Sequence, residues 1–261
     1  MVSIITEEIY QQIRACVKTA GDRLTEATDI HTEEKTDFKN LVTQYDKNTQ
    51  AYLMSVLGEI LPEATFLCEE EDVADTSGAF VFVGDPIDGT TNFVKGYAMS
   101  AVSVALLYRG DLQLGMVYNP FTGEFFEARK DGGAFLNEKR IRATQEGMNT
   151  SLAGFGTSPY YSEYRDRTTQ LVRRLMDCSV DIRRGGSAAL DLCYVAAGRL
   201  CSFFECRLSP WDFAAGICIV QEAGGMVTDF QGSVPDCIRK SSIVAGGPKG
   251  YAQMMDIIGG K

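Results

Sequence analysis

The chain has 261 residues, 45% of them hydrophobic, which is enough to bury one large core or two moderate ones and argues against disorder. Its formal charge of −10 excludes a broad surface for nucleic acid or an anionic membrane, because such surfaces need clustered Lys and Arg. An anionic small substrate would need positive charge supplied locally, and bound cations are one source of it.

Residues 1–10 carry Glu7 and Glu8 and no basic stretch, so no secretion signal is expected there. Over residues 7–27 apolar side chains recur at Ile9, Ile13, Val17, Ala20 and Leu24, the stripe of a helix lying on a core. A polar connection, 28–40, holds the only histidine, His31, and the charged run Glu33, Glu34, Lys35, Asp37 and Lys39. A lone histidine in such a loop reads as solvated, which leaves neither a His-rich zinc site nor a Ser-His-Asp triad. A second helix is expected over 46–61, with Tyr52, Val56, Leu57 and Ile60 inward and Pro62 ending it. A short strand, 65–68, runs into four acids, Glu69, Glu70, Glu71 and Asp72. Such a run is ordinarily a solvated loop, but at a strand end one acid could lean into a neighbouring cavity.

The chain is organised around residues 84–93, Gly-Asp-Pro-Ile-Asp-Gly-Thr-Thr-Asn-Phe. The apolar run 79–83, bounded by Gly78 and Gly84, suits a buried central strand that delivers Asp85 to the carboxyl end of a sheet. There the strand is expected to stop. Pro86 restricts the backbone and Gly89 permits positive φ, so Asp85 and Asp88 can point into one space. Thr90, Thr91 and Asn92 then open a short helix whose N-terminus attracts phosphate. Two readings stand on these residues: an acidic turn that caps a helix, or hard oxygen ligands for Mg²⁺ beside a cradle for a phosphate ester.

Residues 99–108, 112–119 and 124–129 read as an antiparallel meander, extended by a hairpin from 132–136 and Ile141. The polar run 143–150 marks a boundary between an N-terminal α+β domain, 1–147, and a C-terminal α/β domain, 148–261. The second half alternates: strands at 151–156, 181–184, 200–205, 226–229 and 242–245, and helices at 161–176, 188–197, 211–223 and 249–258. Ser209 or Asp212 caps the apolar helix that follows Trp211, and a carboxylate there could both cap and bind metal. Gly185-Gly186-Ser187-Ala188-Ala189 opens another helix with an N-terminus suited to hydroxyl or phosphate contact. Arg183 and Arg184 read as solvated. The eight cysteines form no Cys-x-x-Cys pair and are expected as buried free thiols in a reducing, cytoplasmic setting. No apolar stretch reaches the roughly 20 residues of a membrane span.

Together, the Glu-Glu pair after a strand, Asp-Pro-Ile-Asp-Gly-Thr-Thr-Asn-Phe, the Gly-Ser-Ala-Ala helix start and Trp-Asp-x-Ala-Ala-Gly resemble, in order and spacing, the inositol monophosphatase family. The resemblance covers most of the chain and includes Gly-Met-Val-Tyr-Asn-Pro from Gly115 and Glu-Ala-Gly-Gly from Glu222. It implies a layered αβαβα sandwich and maps the family's metal ligands onto Glu69, Asp85, the carbonyl of Ile87, Asp88 and Asp212. Thr90 matches a threonine that contacts metal and the nucleophilic water, Asp46 the acid paired with it, Glu70 an acid behind the ligands, and Lys35 a lysine on a loop near the metals. Gly186, Ser187, Ala188 and Glu205 match contacts to inositol hydroxyls, Asp88 and Asp212 border the substrate, and Gly89 and Thr90 supply phosphate-binding N–H groups. Four ligand carboxylates carry about −4, which two Mg²⁺ ions would neutralise, and a phosphate dianion could draw in a third. No cysteine is placed to act as a nucleophile.

Departures from the animal enzymes are Ser209, where a histidine is common, and Cys68, where a glycine often precedes the Glu pair. They leave the substrate open between myo-inositol monophosphate, the first expectation, and a broader range including fructose 1,6-bisphosphate or phosphoadenosine nucleotides. The resemblance further implies lithium sensitivity and a homodimer, with a small phosphate monoester as partner, while the acidic charge and short apolar runs lead to the expectation of neither nucleic acid nor membrane. A regulatory scaffold that keeps the fold is the reading from another class.

Overall fold

The computed structural model of the chain describes residues 4–34, 41–70 and 75–260. Thr6 accepts the backbone N–H of Ile9 and starts α1 (Glu7–Leu24), which buries Ile13, Val17, Ala20 and Leu24 on the expected stripe. In and just after the polar connection, β1 (Thr32–Glu34) pairs antiparallel with β2 (Leu41–Thr43), which the exposed, charged side chains of β1 did not announce. Thr43 then caps α2 (Gln44–Ile60), so this helix starts two residues before its expected 46–61 span. Its innermost positions are Leu53 and Leu57, with Tyr52, Val56 and Ile60 half-buried beside them.

Seven strands form the larger sheet in chain order: β3 (Ala64–Cys68), β4 (Phe80–Asp88), β5 (Ala101–Tyr108), β6 (Asp111–Asn119), β7 (Glu124–Arg129), β8 (Gly133–Leu136) and β9 (Lys139–Ile141). β3 runs parallel to β4 and the rest is the antiparallel meander. The expectation that strand structure ends before the Asp-Pro-Ile-Asp stretch is corrected here, because β4 continues through Asp88. Asp85 stands opposite Ser103 and Asp88 opposite Ala101, so three steps on β4 match two on β5. That extra residue is a bulge, which also accommodates a proline lacking an N–H. In a regular strand, residues three apart face opposite ways; the bulge returns Asp88 to the face used by Asp85.

The short helix α3 (Thr90–Val94) leaves the end of β4 through Gly89, whose φ of 89° is closed to most side chains. In the second half come β10 (Leu152–Phe155), α4 (Arg165–Cys178), β11 (Asp181–Arg183), α5 (Ala188–Ala196), β12 (Ser202–Leu208), α6 (Pro210–Glu222), β13 (Met226–Thr228), β14 (Ser241–Gly246) and α7 (Pro248–Gly259). The smaller sheet has the order β11-β10-β12-β14-β13. The α4 helix begins later than the expected residue 161, after a single 3₁₀ turn at Ser162–Tyr164.

Period-two alternation sorts the side chains into layers. Phe82, Val104, Leu106 and Met116 pack under α1 and α2, whereas Val81, Val83, Ala105 and Val117 face α5 and α6. Phe203, Ile243 and Ala245 of the smaller sheet reach the same α5 and α6 layer from its other side. Phe204 and Val244 face α4 and α7. The layers are therefore α1/α2, large sheet, α5/α6, small sheet and α4/α7, the αβαβα sandwich. Among the described residues no helix is long and apolar enough to cross a membrane. All eight cysteines are free and all but Cys178 are buried.

The central helix lies unusually close to the large sheet. A Cβ on Gly115 of β6 would stand 2.4 Å from the carbonyl oxygen of Ala215 in α6. Gly115→Val should therefore destabilise the fold by about 1–3 kcal/mol through overpacking. A denaturant midpoint equal to that of the parent chain would overturn this account of the contact.

Candidate active site

The carboxyl ends of β3 and β4 and the N-termini of α3, α5 and α6 meet at one cavity of about 700 Å³. Asp85, Asp88 and Asp212 each place a carboxylate oxygen within 4.8 Å of the others. Asp85 and Asp88 are buried and Asp212 is half-buried. Glu69, the first acid after β3, lines the same cavity, as do Ile87, Gly89 and Thr90. Glu70 does not line it; its backbone N–H donates to Gln50 Oε1 at 2.9 Å. Lys35, Glu71 and Asp72 lie outside the described residues.

Each aspartate is held in place by backbone. Asp85 Oδ1 accepts the N–H of Ile87 at 2.9 Å across the bulge. Asp88 Oδ2 accepts from Ser187 Oγ at 2.5 Å and from the Ala189 N–H at 2.7 Å, so the positive end of α5 rests on it. Asp212 Oδ2 accepts the N–H of Ser209 at 2.7 Å, closing the first turn of α6. Ser187 Oγ also accepts the Leu190 N–H, so one hydroxyl links the cap of α5 to Asp88.

Burial first, and then the neighbouring acids, pushes these groups up. Asp85 is held well above the ordinary carboxylate range by burial and by Glu69, Asp88 and Asp212. Asp212 is raised by burial and then by Asp88 and Glu69. Asp88 is pushed up to about 6 by burial, against the pull of its Ser187 and Ala189 hydrogen bonds. No lysine or arginine forms an ion pair with these three among the described residues. Oxygen donors clustered this closely without a countercharge fit a hard divalent cation.

Thr90 Oγ1 lies 3.1 Å from Asp46 Oδ1 and 3.1 Å from the Ile87 carbonyl oxygen. Asp46 is fully buried, and its other oxygen accepts from the Thr43 N–H at 2.7 Å and from Thr43 Oγ1 at 2.6 Å. Thr43 is a site residue that the motif reading missed, although its three-residue spacing from Asp46 is that of a capping box. Glu205 is buried in another wall, where its Oε1 accepts the Ser158 N–H at 2.7 Å. Burial raises it to about 7. Gly156 is required beside it, since a Cβ there would stand 1.9 Å from Glu205 Oε2. Gly186, Ser187 and Ala188 line the cavity too, and Arg184, exposed as expected, borders it rather than facing away.

The model of the inositol monophosphatase family matches residues 5–257. The Nus factor SuhB of Vibrio cholerae is 39% identical over 254 residues, covering 94% of this chain and 93% of that protein. The crystal structure of the extragenic suppressor protein SuhB from Bartonella henselae superposes with a TM-score of 0.90 at 33% identity, over 97% of this chain and 98% of that one. The Thermotoga maritima IMPase superposes with a TM-score of 0.87 at 30% identity, over 98% of each chain.

Because a cation that binds only the folded state stabilises it by RT ln(1 + [Mg²⁺]/Kd), Mg²⁺ should raise the thermal unfolding midpoint, and the rise should continue beyond saturation of the site. Asp85→Asn should abolish most of that rise; an equal Mg²⁺ response in both proteins would refute the metal assignment.

Proposed function

The chain belongs to the inositol monophosphatase family, and from that membership we propose that it is a Mg²⁺-dependent phosphomonoesterase that hydrolyses myo-inositol monophosphate to inositol and phosphate. The observation that carries this reading is the gathering of Asp85, Asp88 and Asp212 within 4.8 Å beside the Thr90–Asp46 pair. Glu69, Asp85, the Ile87 carbonyl, Asp88 and Asp212 would hold two to three Mg²⁺ ions, which when bound supply charge neutralisation for the phosphate and lower the pKa of a water.

The chain's own groups then have separable tasks. Thr90 Oγ1 has one proton and two acceptors within reach, and the carboxylate of Asp46 is the stronger of them. The hydroxyl so oriented accepts a hydrogen bond from the attacking water, and its proton has a path through Thr90 Oγ1 to Asp46 Oδ1. Thr43, by occupying the second oxygen of Asp46, keeps that path aimed. Backbone N–H groups at Gly89 and Thr90 receive the phosphate at the start of α3. Ser187, Ala188 and Glu205 contact the hydroxyls of the sugar, with Gly186 leaving room for it, and a water held by Asp212 protonates the departing alcohol oxygen. Glu70 supports the Glu69 segment from behind. Lithium sensitivity and a homodimer are part of the same proposal.

A second reading is favoured by the name Nus factor carried by the Vibrio cholerae relative: the chain also serves as a regulatory scaffold, with a role that does not need turnover. Asp88→Asn separates the two, since a scaffold keeps its bound partners in a pull-down while hydrolysis is lost. For the enzyme, Asp46→Asn should lower Mg²⁺-dependent phosphate release from myo-inositol 1-phosphate by about 10- to 100-fold. Unaltered turnover in that variant would remove Asp46 and Thr90 from the mechanism, and release that persists without Mg²⁺ would remove the proposal itself.

A further inference from the structure

The cavity has a second wall whose charges the reaction above does not use. Arg184, Arg207 and Lys240 line it together with Tyr160 and Tyr161. Arg184 donates to Thr157 Oγ1 at 3.4 Å and lies near enough to the buried Glu205 and Asp191 for its charge to draw both downward against their burial. Arg207 and Lys240 form no ion pair among the described residues. Two cations without acidic partners at one cavity are notable in a chain of net charge −10.

This wall is also built rather than loose. Ser158 is buried at a φ of 42° and ties the loop after β10 to the end of β12. Its N–H donates to Glu205, its Oγ donates to the Arg207 carbonyl at 3.2 Å, and the Arg207 N–H donates back to the same Oγ at 3.0 Å. Lys240 Nζ donates to Tyr161 Oη at 2.7 Å, which holds the ammonium beside the loop. The loop can close on the strand because Gly156 leaves space for the Glu205 carboxylate.

We infer that Arg207 and Lys240 form a subsite for a second anionic group on the substrate, so that the cavity selects phosphomonoesters carrying a further phosphate or carboxylate away from the scissile ester. The inference rests on the phosphomonoesterase reading and narrows its substrate class. Arg207 offers a planar fork for an oxyanion and Lys240 a point charge beside it. Tyr160, about half exposed at 51%, adds a ring against which a sugar or nucleobase can lie.

The test compares the full-length, Mg²⁺-loaded protein with Arg207→Met and with the double variant Arg207→Met/Lys240→Met. The substrates are myo-inositol 1-phosphate, fructose 1,6-bisphosphate and adenosine 3′,5′-bisphosphate. The double variant should raise KM for a bisphosphate about tenfold or more, the loss expected for charge-assisted hydrogen bonds, with kcat little changed. Its KM for the monophosphate should stay within about twofold, and added salt should weaken only the parent's use of the bisphosphate. Loss on both bisphosphates assigns a general anion subsite, whereas loss on the nucleotide alone assigns one that also stacks a base.

Equal effects on mono- and bisphosphate, or none on either, would overturn the subsite while leaving the phosphatase reading intact. Calorimetric titration with a non-hydrolysable sugar bisphosphonate reads the subsite without turnover. Binding that is unchanged in the double variant rejects it even if no ester is hydrolysed, the outcome that would sink the phosphatase reading. Thermal melts matching the parent confirm that the exposed Lys240 and half-buried Arg207 are not needed for folding.

Discussion

Mutual repulsion among Asp85, Asp88 and Asp212 is the constraint on which the structure turns. Three carboxylates within 4.8 Å of one another would, if all were ionised, oppose folding by something on the order of 3 kcal/mol per pair at an effective dielectric of about 20. The fold tolerates them because each is bound by backbone N–H groups that cannot leave: Ile87 for Asp85, Ala189 for Asp88 and Ser209 for Asp212. The same bonds that hold the acids in place turn their remaining oxygens into a preformed shell for a hard cation. Local destabilisation and fitness for a cation are thus one property of the site.

Rigid elements, each from a different part of the chain, hold that arrangement. The bulge in β4 sets Asp85 and Asp88 on one face of the large sheet, and α6 brings Asp212 up to that face. Only small residues let α6 come so near, with Gly115 beneath it and Gly216 against Leu192 of α5. The helix is hydrophobic almost all round because sheets cover it from both sides. The carboxylate cluster is therefore a consequence of the middle layer of the sandwich, and a change in the packing of α6 would be felt at Asp212.

Around this core the cavity is electrostatically divided. Acids gather where β3, β4 and α6 end, and cations line the wall formed by the loop after β10, the end of β12 and Lys240. An acidic chain can handle an anionic substrate in this way, supplying positive charge by bound metal at one place and by Arg and Lys at another. The name Nus factor belongs to a relative that is 39% identical to this chain over 254 residues. The cluster of Asp85, Asp88 and Asp212 is intact here, as the proposed hydrolysis requires.

Much of this was legible in the linear pattern. Helical stripes such as Ile13, Val17, Ala20 and Leu24, the meander strands, and the pairing of Asp85 with Asp88 follow from local periodicity and turn chemistry, which act between near neighbours. Asp46 was reached only through the resemblance of whole motifs to a family, and the same resemblance turned Thr90, read locally as a helix start, and Asp212, read locally as a cap that could bind metal, into assigned site residues, since nothing local distinguishes a capping aspartate from a ligand. The pairing of β1 with β2 was not foreseen because β1 is exposed and charged and carries no core signal, and β2, although half-buried to buried, is only three residues long. The continuation of β4 through Pro86 was misread because a bulge depends on the partner strand, which the segment's own residues do not reveal. Thr43's grip on Asp46 is a local capping box that the motif reading passed over, whereas Ser187's grip on Asp88 and the placing of Arg207 and Lys240 at one cavity were decided by tertiary structure. These contacts join groups according to how the sheets and helices stack, and stacking depends on the whole core rather than on any one stretch of chain.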